Sequence, residues 1–469
     1  MKQIFKVLIP LVIIGLILVV YFNYPKLNII TGFAAKNVCS CVFEAGRDPE
    51  TLIPGDNDFE PVSYAKSDID YSGRSVTSTV FGLKARTAVY NGGYGCTLLP
   101  EKSVSISLPY AQPQRTKSKT NLPYPYGNMP ARDTVFPGID YTKLEQAVAN
   151  SFDNEEEILK RTRAVVILYK DHLIAEKYGE GFNKDTKLLG WSMTKSITGT
   201  ILGVLEREAR INIDQKRLFS EWENDEREGI SLNHLLQMSS SLEWEEDYSK
   251  ISDVTKMLFL AEDMSVSQLY KPLIGAPGEI WNYSSGTSNL LSGFIRNQFS
   301  THQEYLDYWY TALIDKIGMT SMVLEADIAG NYVGSSYTWA TARDWAKFGQ
   351  LYLRRGNWNG EQILNESWVD YAATPVTGSN GEYGAHFWLN AGGKYPGVPR
   401  DMFSANGFQG QHVFIIPSRD IVVVRFGLAE HPDFNVDTFL QEVLQALNLA
   451  ENKEKREEKR DKKVLNLGL

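Results

Sequence analysis

A serine followed three residues later by a lysine can act as a nucleophile that carries its own base, provided both side chains share one helix face and the amine is neutral. The pattern occurs twice in this chain, at Ser63/Lys66 and Ser192/Lys195. Roughly two matches arise by chance at this Ser and Lys content, so only context separates the copies. Ser63 opens nothing helical. Ser192 follows Gly190 and Trp191 and opens a segment with Ile197, Ile201, Val204 and Leu205 at helical spacing, where Gly199 and Gly203 leave room for close packing. At the first turn of such a helix the positive end disfavours an ammonium and supports an oxyanion, which pushes Lys195 toward the neutral amine a base must be. The bland alternative is a Ser near an N-cap beside a solvated Lys.

Acyl transfer also needs a second proton carrier and amide donors aimed at a developing oxyanion. Further along, Pro277 and Gly278 turn the chain into Trp281, Asn282, Tyr283, Ser284 and Ser285, just before a helical pattern with Leu290, Leu291, Phe294 and Ile295. A third segment, Gly407-Phe408-Gln409-Gly410-Gln411, immediately precedes the apolar run Val413 to Ile416.

The elements that must hold these segments follow from periodicity. A helical pattern through Leu144, Ala147 and Val148 leads into the runs Ala164 to Tyr169 and Leu173 to Tyr178, joined by Lys170, Asp171 and His172 as a hairpin. A second hairpin, Val413 to Ile416 and Ile421 to Phe426, is turned by Pro417 to Asp420 and followed by a helix with Phe439, Val443, Leu444 and Leu447. Between the hairpins the patterns are mostly helical. Hairpins at both ends of one body with helices between them predict an α+β layout, one antiparallel sheet closed by both termini with an inserted helical lobe.

With these motifs in this order, and with the segment from Ile230 to Leu242 between the first two, the sequence resembles the β-lactamase-related serine hydrolases. That superfamily holds class C β-lactamases, penicillin-binding esterases, D-aminopeptidases and nylon-oligomer hydrolases. The resemblance covers the body and implies a β-lactamase/transpeptidase-like fold, an antiparallel sheet flanked by N- and C-terminal helices. It implies Ser192 as nucleophile, Lys195 as base, Tyr283 as the phenol relaying a proton to the leaving group, and the amides of Ser192 and Gln411 as the oxyanion hole. Ser285 stands where many relatives have Asn and is expected to orient Lys195 or the substrate. Relatives that grip a substrate carboxylate carry Lys-Thr-Gly or a His-containing equivalent on the edge strand, whereas Phe408, Gln409 and Gly410 stand there here. The pattern is closer to esterases and to amidases of linear amides. Trp244, Tyr248, Trp281, Trp339 and Phe408 are candidates for an aromatic cleft, Ser285, Trp339, Tyr248 and Phe408 being taken as substrate-binding.

Other classes fit less well. An α/β-hydrolase needs Gly-x-Ser-x-Gly, and Gly190 to Thr194 fails at the last position. A Ser-His-Asp triad with His234, His386 or His412 has no local pattern behind it. A tethered binding or sensor module without turnover is the strongest non-enzyme alternative, and intact Ser192, Lys195 and Tyr283 argue against it. The 469 residues carry a net charge of −9, which lacks the basic excess that phosphate neutralisation demands, so nucleic acid is a poor partner. Six scattered His and three Cys argue against a transition-metal site, and no cofactor is called for. The partner implied is a small ester or amide substrate, with oligomeric state open.

Four regions emerge along the chain: 1–24 as membrane anchor or signal, 25–135 as an N-terminal extension with a proline-rich linker, 136–450 as the hydrolase body, and 451–469 as a charged tail. Val7 to Phe22 is an uncharged apolar run behind Lys2 and Lys6. It reads as a single-pass anchor with the body on the extracytoplasmic, periplasmic side, or as a signal cleaved before secretion. Cys39 and Cys41 are too close to bond to each other comfortably, so one of them bridges to Cys96, or all three are buried thiols. Pro113, Pro123, Pro125 and Pro130, between Pro109 and Pro137, mark an extended linker.

Overall fold

The computed structural model describes residues 24–52, 55–101, 103, 112–116, 120–154 and 159–447. The first helix, α1 (Lys26–Cys39), has 14 residues, about 21 Å at 1.5 Å per residue, against a hydrocarbon core of ~30 Å. It buries Thr31, Lys36 and Asn37 along with its apolar residues, as a helix enclosed by protein does and one enclosed by lipid does not. Among the described residues no helix is long and apolar enough to cross a membrane. The run Val7 to Phe22 lies outside them, as does the charged tail from Glu451. The single-pass anchor, and the transmembrane and periplasmic placement drawn from it, is therefore corrected: no such helix supports it.

Helix α1 lies against a four-stranded antiparallel meander, β1 (Ala65–Asp70), β2 (Ser75–Val80), β3 (Leu83–Asn91) and β4 (Gly95–Leu98). A disulfide joins Cys39 at the end of α1 to Cys96 in β4, and Cys41 is a buried free thiol, which decides between the two readings of the cysteines. The described part of the proline-rich stretch adheres to the body. Arg115 forks onto Asp315 at 2.8 and 2.6 Å, and the Tyr124 hydroxyl donates to the Arg343 carbonyl at 2.9 Å.

The body runs α2 (Tyr141–Asn150), β5 (Thr162–Tyr169), β6 (His172–Tyr178), β7 (Lys187–Leu189), α3 (Met193–Arg207), α4 (Leu232–Leu236), α5 (Asp253–Leu260), α6 (Ser285–Arg296) and α7 (His302–Trp309). It continues through β8 (Val323–Leu324), β9 (Thr338–Thr341), α8 (Ala342–Leu353), β10 (Asn357–Trp358), β11 (Glu361–Gln362) and α9 (Glu366–Ala372). The last elements are β12 (Trp388–Leu389), β13 (Phe403–Gly407), β14 (Gln411–Ile416), β15 (Ile421–Gly427) and α10 (Val436–Leu447).

The central antiparallel sheet has the order β12-β13-β14-β15-β5-β6, so the strand that opens the body pairs with the strand that nearly ends it, Val166 opposite Val424. Strands β5, β14 and β15 are near-continuous apolar runs because both faces are covered. Their side chains alternate between the layers with period two. Val165, Ile167, Phe414, Ile416 and Val423 pack under Leu144 and Val148 of α2 and Leu440 and Val443 of α10. Val166, Leu168, Val413, Ile415, Val422 and Val424 face Trp345 and Phe348 of α8 and, beyond them, Ile197 and Ile201 of α3. The expected α+β fold, a sheet between terminal helices and a helical lobe, is what the chain adopts.

A small sheet, β7-β9-β8, aims the first motif. Leu189 pairs with Trp339 and the Gly190 N–H donates to the Thr338 carbonyl at 2.8 Å, so β7 runs directly into the turn that starts α3. On the other side of that helix Gly203 is required by contact, since a Cβ there would lie 2.5 Å from the Trp368 indole nitrogen.

Candidate active site

Ser192 caps the N-terminus of α3, and Lys195 stands one turn in, only 2% exposed. The Lys195 Nζ donates to Ser192 Oγ at 2.9 Å, to Ser285 Oγ at 2.9 Å and to the Ser335 carbonyl at 3.1 Å. Burial pushes the Lys195 ammonium down to about 8, with the Glu246 carboxylate pulling the other way. A neutral amine reverses the first contact, the Ser192 hydroxyl then donating to Nζ, as general-base activation of a serine requires.

Tyr283 presents its ring to the same ammonium, with Nζ 4.9 Å from the ring centroid. Burial, and after it the Glu246 charge, holds the Tyr283 phenol protonated well above its usual range, while the Ser192 hydroxyl and the Trp388 indole act in the opposite direction. Trp388 and Tyr383 hold the ring, at centroid distances of 5.1 and 5.7 Å. Ser192, Lys195 and Tyr283 are thus brought together from α3 and from the turn before α6.

Ser285 is wholly buried behind Lys195 and takes no part in the wall of the cleft. Its N–H donates to Glu246 Oε2 at 2.8 Å and its hydroxyl makes a short bond to Glu246 Oε1. Ser285 therefore stands within hydrogen-bond reach of Lys195 and not among the residues that wall the cleft. Glu246 also accepts from the Trp244 indole at 2.6 Å and the Tyr248 hydroxyl at 3.1 Å, so one carboxylate gathers the whole loop beneath the amine.

Ser192 opens into a cleft of about 610 Å³ walled by Tyr248, Tyr283, Trp388, Asn406, Phe408 and Phe434, among others. Phe408 stacks on Tyr248 at 5.2 Å and meets Trp191 edge-on at 5.6 Å. The tip of the β13–β14 hairpin runs hard against the nucleophile turn: a Cβ on Gly407 would lie 2.2 Å from the Gly190 carbonyl.

Two expected site residues are not among those that wall the cleft. Gln411 is paired with Gly407 across the hairpin, and its side-chain amide donates to the Phe408 and Gly427 carbonyls at 3.0 and 2.6 Å, away from the cleft wall. Phe408, next to Gly407 at the hairpin tip, lines the cleft together with Ser192. Trp339 is 2% exposed, packs with Cys39 and Cys96, and donates its indole N–H to Glu325 at 3.0 Å. It belongs to the contact between extension and body, and its assignment to substrate is corrected, because β9 turns that side chain away from the cleft.

Sequence reasoning missed Glu246, Asn406 and Trp388. A signal for the first exists: Trp244, Glu246 and Tyr248 alternate, which puts all three on one side of an extended loop. The cleft also contains Lys394, whose ammonium is paired with Glu382 at 3.0 Å. His412 lines the cleft as a neutral ring, pushed down to about 3 by burial and then by the Arg425 charge.

A family model described as Beta-lactamase matches residues 153–446. The chain is 25% identical over 332 residues to a 6-aminohexanoate-dimer hydrolase of Paenarthrobacter ureafaciens, covering 64% of this chain and 82% of that protein. Among solved structures it is similar to one from Bacillus anthracis assigned as a 6-aminohexanoate-dimer hydrolase, with a TM-score of 0.54, 23% identity, and coverage of 62% and 80% of the two chains. It is also similar to one from Bacteroides dorei assigned as a beta-lactamase, with a TM-score of 0.53, 16% identity, and coverage of 66% and 99%. The N-terminal extension falls outside that family match.

Proposed function

The chain belongs to the beta-lactamase family, and from that premise we propose that it is a serine hydrolase that cleaves a linear amide or an ester through an acyl-enzyme on Ser192. The observation that carries the reading is the buried Lys195 amine, lowered to about 8 and within 2.9 Å of both Ser192 Oγ and Ser285 Oγ. Ser192 Oγ attacks the substrate carbonyl while its proton passes to the neutral Lys195 amine. The oxyanion is met at the positive end of α3 by the Ser192 N–H and, in place of Gln411, by the Phe408 N–H. The Tyr283 phenol passes a proton to the departing amine or alcohol. Water then attacks the acyl carbonyl, Lys195 and Tyr283 serving in reverse.

The Tyr248, Phe408 and Trp388 walls suit an unbranched chain, in line with the 6-aminohexanoate dimer named for the Paenarthrobacter protein. Asn406, Gly407 and Phe408 at the hairpin tip offer no cation, which argues against a substrate gripped by its carboxylate there. The Cys39–Cys96 bridge supports residence in an oxidising compartment.

The test is labelling with a fluorophosphonate followed by peptide mapping, alongside turnover of p-nitrophenyl esters and a chromogenic β-lactam. Label on Ser192, lost in Ser192→Ala and in Lys195→Ala, with ester turnover ahead of β-lactam turnover in kcat/KM, is the expected result. Label on another residue sinks the assignment of the nucleophile, and label without turnover leaves a binding module.

A further inference from the structure

The residue before the nucleophile is under strain. Trp191 sits at φ 47°, a left-handed conformation that is strained for a bulky side chain and persists only where its surroundings dictate it. Three rings surround Trp191: Tyr337 at 5.9 Å, Phe408 edge-on at 5.6 Å, and Phe33 stacked on it at 5.9 Å with 22° between planes. The first two come from the body. Phe33 comes from α1, which lies outside the span matched to the family.

Phe33 is itself fixed. Phe59 meets it edge-on at 5.3 Å and Phe259 of α5 lies 5.5 Å away. Helix α1 is anchored on the same side by Glu325, a fully buried carboxylate of the body that pairs with Lys36 and accepts from Ser40 Oγ at 2.7 Å and the Cys96 N–H at 2.7 Å. Arg86 of β3 adds a bond to the Phe259 carbonyl at 2.7 Å. An aromatic series thus runs from the extension to the cleft wall, Phe33 to Trp191 to Phe408 to Tyr248, and passes through the residue just before Ser192.

We infer that the N-terminal extension is a built part of the active site, with Phe33 as a positioning residue that holds Trp191 in its strained turn and so sets the direction of Ser192 Oγ and the seat of Phe408. Phe33 touches no reacting atom, and the inference rests on reading Ser192 as the nucleophile. Holding Ser192 is a matter of orientation, where a displacement near 1 Å costs about 100-fold in rate.

The experiment uses the full chain. Phe33→Ala is compared with Phe33→Leu, which keeps most of the bulk, and with Val38→Ala, which opens a hole of similar kind in α1 among Cys39, Cys96 and Trp339, away from Trp191. Rates are normalised to folded protein by near-ultraviolet circular dichroism. The expected result is a fall in kcat of about fivefold or more in Phe33→Ala with KM within about threefold, recovery of most of the rate in Phe33→Leu, wild-type kcat in Val38→Ala, and fluorophosphonate labelling of Ser192 slowed in step with kcat. If Phe33→Ala does not fold, Phe33→Leu against Val38→Ala decides, the former alone being slowed. A smaller fall in kcat, or an equal fall in Val38→Ala, overturns the inference while Ser192 still takes the label. Wild-type protein in which Ser192 takes no label overturns the functional reading instead, and the inference with it.

Discussion

Replacing Glu246 by Gln removes one negative charge and little volume, which makes it a direct probe of how Lys195 is tuned. Lys195 Nζ is 2.9 Å from Ser285 Oγ, and a second short bond leads on to Glu246, so the two charges stand about 5 Å apart. At an effective dielectric of about 20 their attraction is ~3 kcal/mol, or about two pH units of titration. Glu246 is partly open to solvent, and screening reduces the expected effect to about one. The sign is fixed by the geometry. The carboxylate favours the ammonium, so without it Lys195 loses its proton at a pH below the present value of about 8. Activity needs the neutral amine and therefore rises with pH through the lysine's titration. In Glu246→Gln the rising limb of kcat/KM for a p-nitrophenyl ester moves about one pH unit downward, and the plateau drops several-fold because a less basic amine is a weaker base. The assay is a profile from pH 5 to 9.5, with thermal midpoints recorded to separate lost hydrogen bonds to Ser285 and Tyr248 from lost charge. A limb that stays in place or moves upward refutes the coupling.

Tyr283→Phe keeps the ring among Trp388 and Tyr383 and removes only the proton carrier, so kcat should fall by roughly 100-fold to 10,000-fold with little change in thermal midpoint, measured by ester turnover and calorimetry. Trp339→Phe should do the reverse: it leaves Glu325 short of one buried donor, a loss of about 1–3 kcal/mol seen in denaturant unfolding, while KM stays at the wild-type value because Trp339 does not face the cleft.

What could be read from the chain was whatever is local. Ser192 and Lys195 share one helical turn, and the two hairpins declare themselves through apolar runs around Lys170-Asp171 and Pro417 to Asp420, the first turn having φ 47° and 65° as a two-residue hairpin demands. Tyr283 stands in a segment just before a helical pattern, and its role is what the family resemblance implies. What stayed hidden depends on tertiary partners. Glu246 looks like one more solvated acid until Ser285 and Tyr248 close on it. Helix α1 has a weak apolar face because it buries Thr31, Lys36 and Asn37, and nothing in its own sequence shows that Glu325 waits for it. Trp339 was misplaced because an aromatic residue carries no mark of which side of a strand will meet the cleft.

The pairing of β5 with β15 has a consequence for the chain as it is made. Strand β5 leaves the ribosome early, but its neighbour in the sheet follows about 250 residues later, a delay of roughly 13–50 s at 5–20 residues per second. Throughout that interval a largely apolar strand, buried on both faces in the finished protein, has one edge unsatisfied. The nascent chain is thus an adhesive object for most of its synthesis, dependent on whatever shields it. By the same logic a premature stop anywhere before Ile421 does not trim the protein but leaves the sheet open, so the segment from Ile421 onward is the part whose arrival commits all the rest.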